Sequence, residues 1–189
     1  GICDTHQRLC FAFSFWNEQD PFLKERIFGL TNPEGNHGED VKEYYYYLDN
    51  TPTHSYMKYL YKYPQAEFPY EGIRKVNAKR GQKQPEYELI DTGIFDHNRY
   101  FDIFIEYAKK TPEDICIRAT IHNRGDKEKK IHILPTFWAR NVWFQEGLDR
   151  PVFRAVNGHV EVEHQELGKW QLYGDGPDAL LFTENEIGK

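Results

Sequence analysis

"VKEYYYYLDNTPTHSYMKYLYKYP", Val41–Pro64, is the stretch whose reading decides the fold. Two runs, "VKEYYYYLD" (Val41–Asp49) and "HSYMKYLYKYP" (His54–Pro64), flank the polar tetrapeptide "NTPT". Tyrosine is a good strand former, and side chains alternate across a strand. Tyr44 and Tyr46 therefore face one way and Tyr45 and Tyr47 the other. Two such runs joined by turn-forming residues predict an antiparallel hairpin.

The same period of two recurs on both sides of it. "RLCFAFSFWN" (Arg8–Asn17) sends Leu9, Phe11, Phe13 and Phe15 to one face. Further strands are expected in "EYELID" (Glu86–Asp91), "YFDIFIEYA" (Tyr100–Ala108), "DICIRATIHN" (Asp114–Asn123) and "KIHILPTFWAR" (Lys130–Arg140). "VNGHVEVEHQ" (Val156–Gln165), "KWQLYG" (Lys169–Gly174) and "ALLFTE" (Ala179–Glu184) complete the run. Gly, Asp, Asn and Pro punctuate the strands, which predicts an antiparallel β-sandwich. "DPFLKERIFGL" reads as a short helix, with Asp20 as N-cap, Pro21 at the first turn and Gly29 as the stop. "FPYEGIRKVNAKRGQKQP" (Phe68–Pro85) is a polar, weakly helical excursion. If Ile121 faces Ile131 across "HNRGDKEKK", the resulting hairpin has Ile115, Ile117, Ala119, Ile121, Ile131, Ile133 and Phe137 on one face. Arg118, Thr120, His122, His132, Thr136 and Trp138 share the other.

The 189 residues suit one domain with a sizeable core, built more from rings than from aliphatics: aromatics are 16% of the chain. A net charge of −6 argues against a nucleic-acid partner, whose binders carry a basic stripe. No apolar run approaches the ~20 residues of a membrane-spanning helix. Three cysteines, Cys3, Cys10 and Cys116, are an odd count at spacings that suggest neither a disulfide framework nor a zinc site. A reducing, cytoplasmic setting is the expectation. Gly1 and the ending "ENEIGK" suggest a piece of a longer protein.

Chemistry-bearing patterns are few. The loop "EGNHGED" offers His37, Glu39 and Asp40. Sugar hydrolysis needs two carboxylates about 5–10 Å apart across the substrate. Adjacent side chains rarely face each other in that way, so a role for Asp40 or His37 in bonding backbone amides competes with a catalytic one. "PTFWARNVWFQEG" places Trp138 and Trp143 where a strand gives way to a loop, as sugar platforms or as plugs for a sandwich end. His159 and His164 point to opposite faces of a strand, and no ligand set completes a tetrahedral metal site. Neither a nucleophile elbow nor a nucleotide-binding glycine motif is present, and no cofactor is expected.

Taken together, "DPFLKERIFGLTNPEGNHGEDVKEYYYYLDNTPTHSYMKYLYKYPQ", "RYFDIFIEYAKKTPEDICIRATIHNRG", "IHILPTFWARNVW" and "LYGDGPDALLFTEN" resemble the N-terminal region of bacterial glucosidase-like proteins in glycoside hydrolase family sixty-three, relatives of mannosyl-oligosaccharide glucosidase. The resemblance implies a galactose-mutarotase-like β super-sandwich, incomplete here, with one or two short helices. It further implies a downstream (α/α)6 barrel that carries the catalytic carboxylates and acts on an oligosaccharide by inversion. No catalytic residue is carried over, because the barrel is not in this chain. His37, Glu39, Asp40, Trp138 and Trp143 are the candidates for carbohydrate contact at the rim. An exposed sheet edge would invite a homodimer. A free-standing carbohydrate-binding module, a mutarotase-type enzyme using a cleft histidine such as His122 or His132, and a purely structural domain that never touches sugar are the alternatives.

Overall fold

The computed structural model describes residues 1–21, 23–24, 43–81 and 83–183. His37, Glu39 and Asp40 lie outside them, as does most of the expected helix in "DPFLKERIFGL". Of that stretch, Lys24 is described and forms an antiparallel bridge with Phe15.

The chain is mainly β and its strands pair antiparallel. In order they are β1 (Ile2–Cys3), β2 (Leu9–Trp16), β3 (Tyr44–Asn50), β4 (Tyr56–Pro64), β5 (Tyr100–Thr111), β6 (Asp114–Asn123), β7 (His132–Ala139), β8 (Val152–Val156), β9 (His159–His164) and β10 (Gly168–Leu172). Two short helices interrupt them, α1 (Tyr70–Asn77) and α2 (Trp143–Glu146). Among the described residues the sheets run β1-β2-β7, β10-β9-β8 and β3-β4-β5-β6. The chain divides into two compact units, Gly1–Phe13 with Leu134–Lys189 and Ser14–Ile133.

The larger unit is organised by the tyrosine hairpin. β3 and β4 pair with Tyr45 opposite Tyr61 and Tyr47 opposite Tyr59, and β4 pairs with β5 with Tyr61 opposite Ile103. Alternation then puts Tyr59, Tyr61 and Tyr63 on the buried face beside Phe101, Ile103, Ile105 and Tyr107. Phe15 joins them, its ring centroid 5.8 Å from that of Tyr61. α1 seals a second cluster, Phe68, Tyr70, Ile73 and Leu89, against which Tyr44, Tyr87, Ile94 and Phe95 pack. At roughly 25 cal/mol per Å² of apolar surface removed from water, these rings are the main favourable term in the unit's stability.

On the opposite face the sheet carries charge in registered rows. Lys58, Glu106 and Arg118 stand side by side, and so do Lys62, Asp102 and His122. Arg118 Nη2 lies 2.8 Å from Glu106, and Lys62 Nζ and Arg124 Nε lie 2.6 and 2.7 Å from Asp102.

The smaller unit packs Leu9, Ala139 and Val162 at its centre, with Phe137, Trp143, Phe153, Leu167 and Trp170 around them.

Four local expectations need correction. β6 and β7 are not a hairpin: β6 is the edge of the four-stranded sheet and β7 belongs to the sheet of β1 and β2. The alternation proposed for each strand holds, but the partner does not: β6 pairs with β5 across a far shorter connection than "HNRGDKEKK", and β7 pairs in the other sheet. "EYELID" is not a strand; Leu89–Thr92 form a 3-10 turn, capped reciprocally by Glu88 and Asp91 and stopped by Gly93 at φ +71°. "VNGHVEVEHQ" does hold a strand, β9, but starts it too early: Asn157 and Gly158 take φ of +48° and +85° and turn the chain between β8 and β9. Ala179–Thr183 of "ALLFTE" have no strand pairing, and Leu181 and Phe182 are exposed.

Candidate functional site

β2 ends in the turn "WNEQD", and one buried side chain builds that turn. Asn17 is 5% exposed. Its Nδ2 donates to the carbonyls of Pro64 (2.8 Å) and Ala66 (3.0 Å), and its Oδ1 accepts from the amides of Gln19 (3.0 Å) and Asp20 (2.8 Å). Two donations and two acceptances saturate the amide. Between these anchors Glu18 is held at φ +63°, a left-handed conformation that costs free energy in a residue other than glycine.

The strained residue points at a histidine. Glu18 Oε1 lies 2.8 Å from His132 Nε2, the first residue of β7. The imidazole stacks on the Trp16 indole at 5.3 Å and 29°, while Trp16 Nε1 donates to the Asp20 carbonyl at 2.9 Å. Lys130 Nζ stands 3.8 Å from the same carboxylate oxygen. The hydrogen bond from His132, reinforced by the Lys130 charge, holds the Glu18 carboxyl below its usual range. His132 is about half exposed, at 49%, so the group meets solvent. Indole, imidazole and ionised carboxylate thus share one exposed spot where the turn after β2 meets the start of β7. Such a spot can stack on an apolar ring face and accept hydrogen bonds from hydroxyls.

Beneath the turn lies a second polar group of different character. Lys24 Nζ sits 2.7 Å from Glu43 and 3.2 Å from Asp20, with the three side chains 2%, 1% and 0% exposed. Tyr61 OH donates to Glu43. The ammonium also lies 3.8 Å from the Phe68 ring centroid and 4.3 Å from that of Tyr70. Burial pushes the Glu43 carboxyl up, against the opposing pull of Lys24 and Tyr61. A raised carboxyl suits a general acid, but this one is sealed from any substrate.

Trp138 and Trp143 are separated. Trp138 lines a shallow depression of about 240 Å³ in the smaller unit with Ile2, Cys3, Gln7, Cys10 and Arg140, where Arg140 Nη1 donates to Gln7 at 2.7 Å. Trp143, on α2, instead packs on the buried Leu9–Ala139–Val162 cluster. The exposed ring of that helix is Phe144, at 88%. His122 stands on β6, edge-on to Phe104 at 5.7 Å, in a different sheet from His132. Among the described residues no group of three or more His, Cys, Asp or Glu side chains is placed to hold a metal ion. No helix among them is long and apolar enough to cross a membrane.

Sequence reasoning missed Asn17, Glu18 and Lys24. Glu18 and His132 are far apart along the chain, and no short pattern links them. The one local signal was "WNEQD" at the end of an aromatic strand, where an asparagine followed by polar residues marks a turn.

Comparison with known proteins finds similarity to a yeast protein. An uncharacterized protein of Saccharomyces cerevisiae is 43% identical over 204 aligned residues. The match covers 98% of this chain and 19% of that protein, so the chain spans about a fifth of its relative's length. No protein-family model matches, and no solved structure matches.

Proposed function

We propose that this chain is a non-catalytic β domain of a glucosidase-type glycoside hydrolase. It braces a separate helical catalytic domain and shapes the rim of that domain's carbohydrate site. The observation that carries the reading is the Trp16–Glu18–His132 group. Its aromatic face and hydrogen-bonding edge suit a pyranose, whereas its one carboxyl is held low, fit to accept hydrogen bonds and unfit to protonate a leaving group. The raised carboxyl, Glu43, has no path to a ligand. The sequence phrases quoted above supply the hydrolase assignment, and the length of the yeast relative leaves room for a catalytic domain.

The test uses the chain alone and the longer protein. The chain alone is expected to release no glucose from gluco-oligosaccharides. In the longer protein, Trp16→Ala and Glu18→Gln should raise KM several-fold and leave kcat nearly unchanged, the mark of lost binding that is uniform along the reaction. Glycosidic cleavage by the chain alone, or unaltered kinetics in both variants, overturns the reading.

The 2.8 Å contact between Glu18 and His132 favours a second reading, a mutarotase-type activity. It requires the chain to speed the interconversion of glucose anomers above buffer and His132→Ala to abolish the gain. Polarimetry at neutral pH decides it.

A further inference from the structure

The register of β1 on β2 sets Cys3 directly opposite Cys10. Both are free cysteines; Cys3 is exposed and Cys10 half-buried. Asp4 N donates to Leu9 O at 3.3 Å, which makes Asp4 and Leu9 a hydrogen-bonded pair of the ladder. The next pair outward, Cys3 with Cys10, then falls at a narrow, non-hydrogen-bonded position. There Cα atoms stand about 4.5 Å apart and side chains approach most closely. A disulfide accepts Cα separations of about 4.4–6.8 Å, so the backbone needs no rearrangement to take one.

The surroundings hold the pair in place and leave it reachable. Asp4 Oδ1 accepts from the amides of Arg8 (2.6 Å) and Leu9 (2.8 Å), and its Oδ2 accepts from His6 (2.8 Å), so the turn joining the two strands is tied down. Leu9 and Phe11 anchor β2 from its buried face. Cys10 Sγ contacts the Gln7 carbonyl at 3.7 Å. Both sulfur-bearing residues line the open depression that Trp138 borders, which gives a small thiol reagent its way in. Cys116 is different: it lies on β6 opposite Ala108 and has no cysteine across the ladder.

We propose that Cys3 and Cys10 form a reversible cross-strand disulfide with a low-molecular-weight disulfide as oxidant, a redox latch that fastens β1 to β2 beside the Trp138 depression. The exposed Cys3 thiolate attacks one sulfur of glutathione disulfide; that S–S bond breaks and one glutathione thiolate leaves. Cys10 then gives its proton to solvent and attacks the Cys3 sulfur, expelling the second glutathione thiolate. Two thiols are oxidised to one disulfide, and one glutathione disulfide is reduced to two glutathiones. Burial, with the neighbouring Cys3 and Asp4 charges, pushes the Cys10 thiol up to about 11. That assigns first attack to Cys3 and the resolving step to Cys10.

The test equilibrates the Cys116→Ser chain in glutathione buffers of graded ratio, blocks remaining thiols with N-ethylmaleimide and weighs the intact protein. Both thiols are expected to disappear in one transition, to a monomer lighter by two hydrogens and without glutathione attached. Cys10→Ser, made in the same background, should stop at a glutathione adduct on Cys3, and Cys3→Ser should form its adduct on Cys10 more slowly. Tryptophan emission should fall on oxidation and recover with dithiothreitol, a change that Trp138→Phe removes. The intramolecular step should make the pair oxidise at ratios at least about tenfold more reducing than Cys116 requires in the unaltered chain. Stable double glutathionylation of the pair, a disulfide between chains, or oxidation no easier than that of Cys116 overturns the proposal.

Discussion

Lys24 and Glu43 meet at 2.7 Å with their side chains 2% and 1% exposed, and Asp20 completes the group on the other side of the ammonium. Two carboxylates therefore share one cation out of contact with water. A buried pair of this kind offers little net stability over a well-packed apolar substitute, but losing one partner is severe because the charge left behind has no solvent. Lys24→Met is expected to destabilise the larger unit by about 3–5 kcal/mol. Urea unfolding measures this directly, and a loss below ~1 kcal/mol would show that the three groups are hydrated in solution.

Asn17 makes four hydrogen bonds from one buried amide. At about 0.5–1.5 kcal/mol each, Asn17→Ala should cost roughly 2–6 kcal/mol. It should also loosen the turn that presents Glu18. Chemical denaturation gives the first quantity. A Glu18 carboxyl that returns toward its ordinary range in NMR titration gives the second. His132→Ala should produce the same titration shift, because its hydrogen bond is the leading cause of the depression.

Acid sensitivity should appear at Asp102. Burial raises its carboxyl, but hydrogen bonds from Lys62 and Arg124 outweigh that and hold it below the usual range. The unfolded chain then binds the proton more readily than the folded one, so this contribution is complete above the unfolded value of about 3.9 and fades as pH falls through the lower folded value. Stability measured from pH 5 downward should therefore decline less steeply at its acid end in Lys62→Met. An unchanged slope would mean that the charged row on this face contributes nothing.

Core and surface rings should separate cleanly. Ile103 is fully buried in the larger unit, and Ile103→Ala is expected to cost about 2–5 kcal/mol. Phe144, at 88% exposure, should tolerate alanine within about 0.5 kcal/mol. Thermal unfolding of the two variants checks both.

Much of the fold was legible in short stretches. The β3–β4 hairpin around "NTPT" and the alternation of Leu9, Phe11, Phe13 and Phe15 are written in neighbouring residues. So are the opposed faces of β6, because pleat and turn chemistry act over only a few positions. Where reading failed, a local rule had been missed or a partner lay far away. The Asn157–Gly158 turn was visible but counted into the start of a strand, while "EYELID" has strand composition but is bent into a 3-10 turn by the Glu88–Asp91 cap. Trp138 and Trp143 looked equivalent by composition, and packing alone sent one to a depression and the other to a core.

The amino-acid order by itself determined a β-rich chain with an aromatic interior, since period and residue type are properties of adjacent positions. Tertiary structure decided which distant strands lie side by side, and hence the long-range chemical meetings: Glu18 with His132, Lys24 with Glu43, Asn17 with Pro64. The physical reason is that a contact between distant residues forms only when burial of the whole core repays the entropy of closing the intervening chain. No single residue in such a pair carries that information.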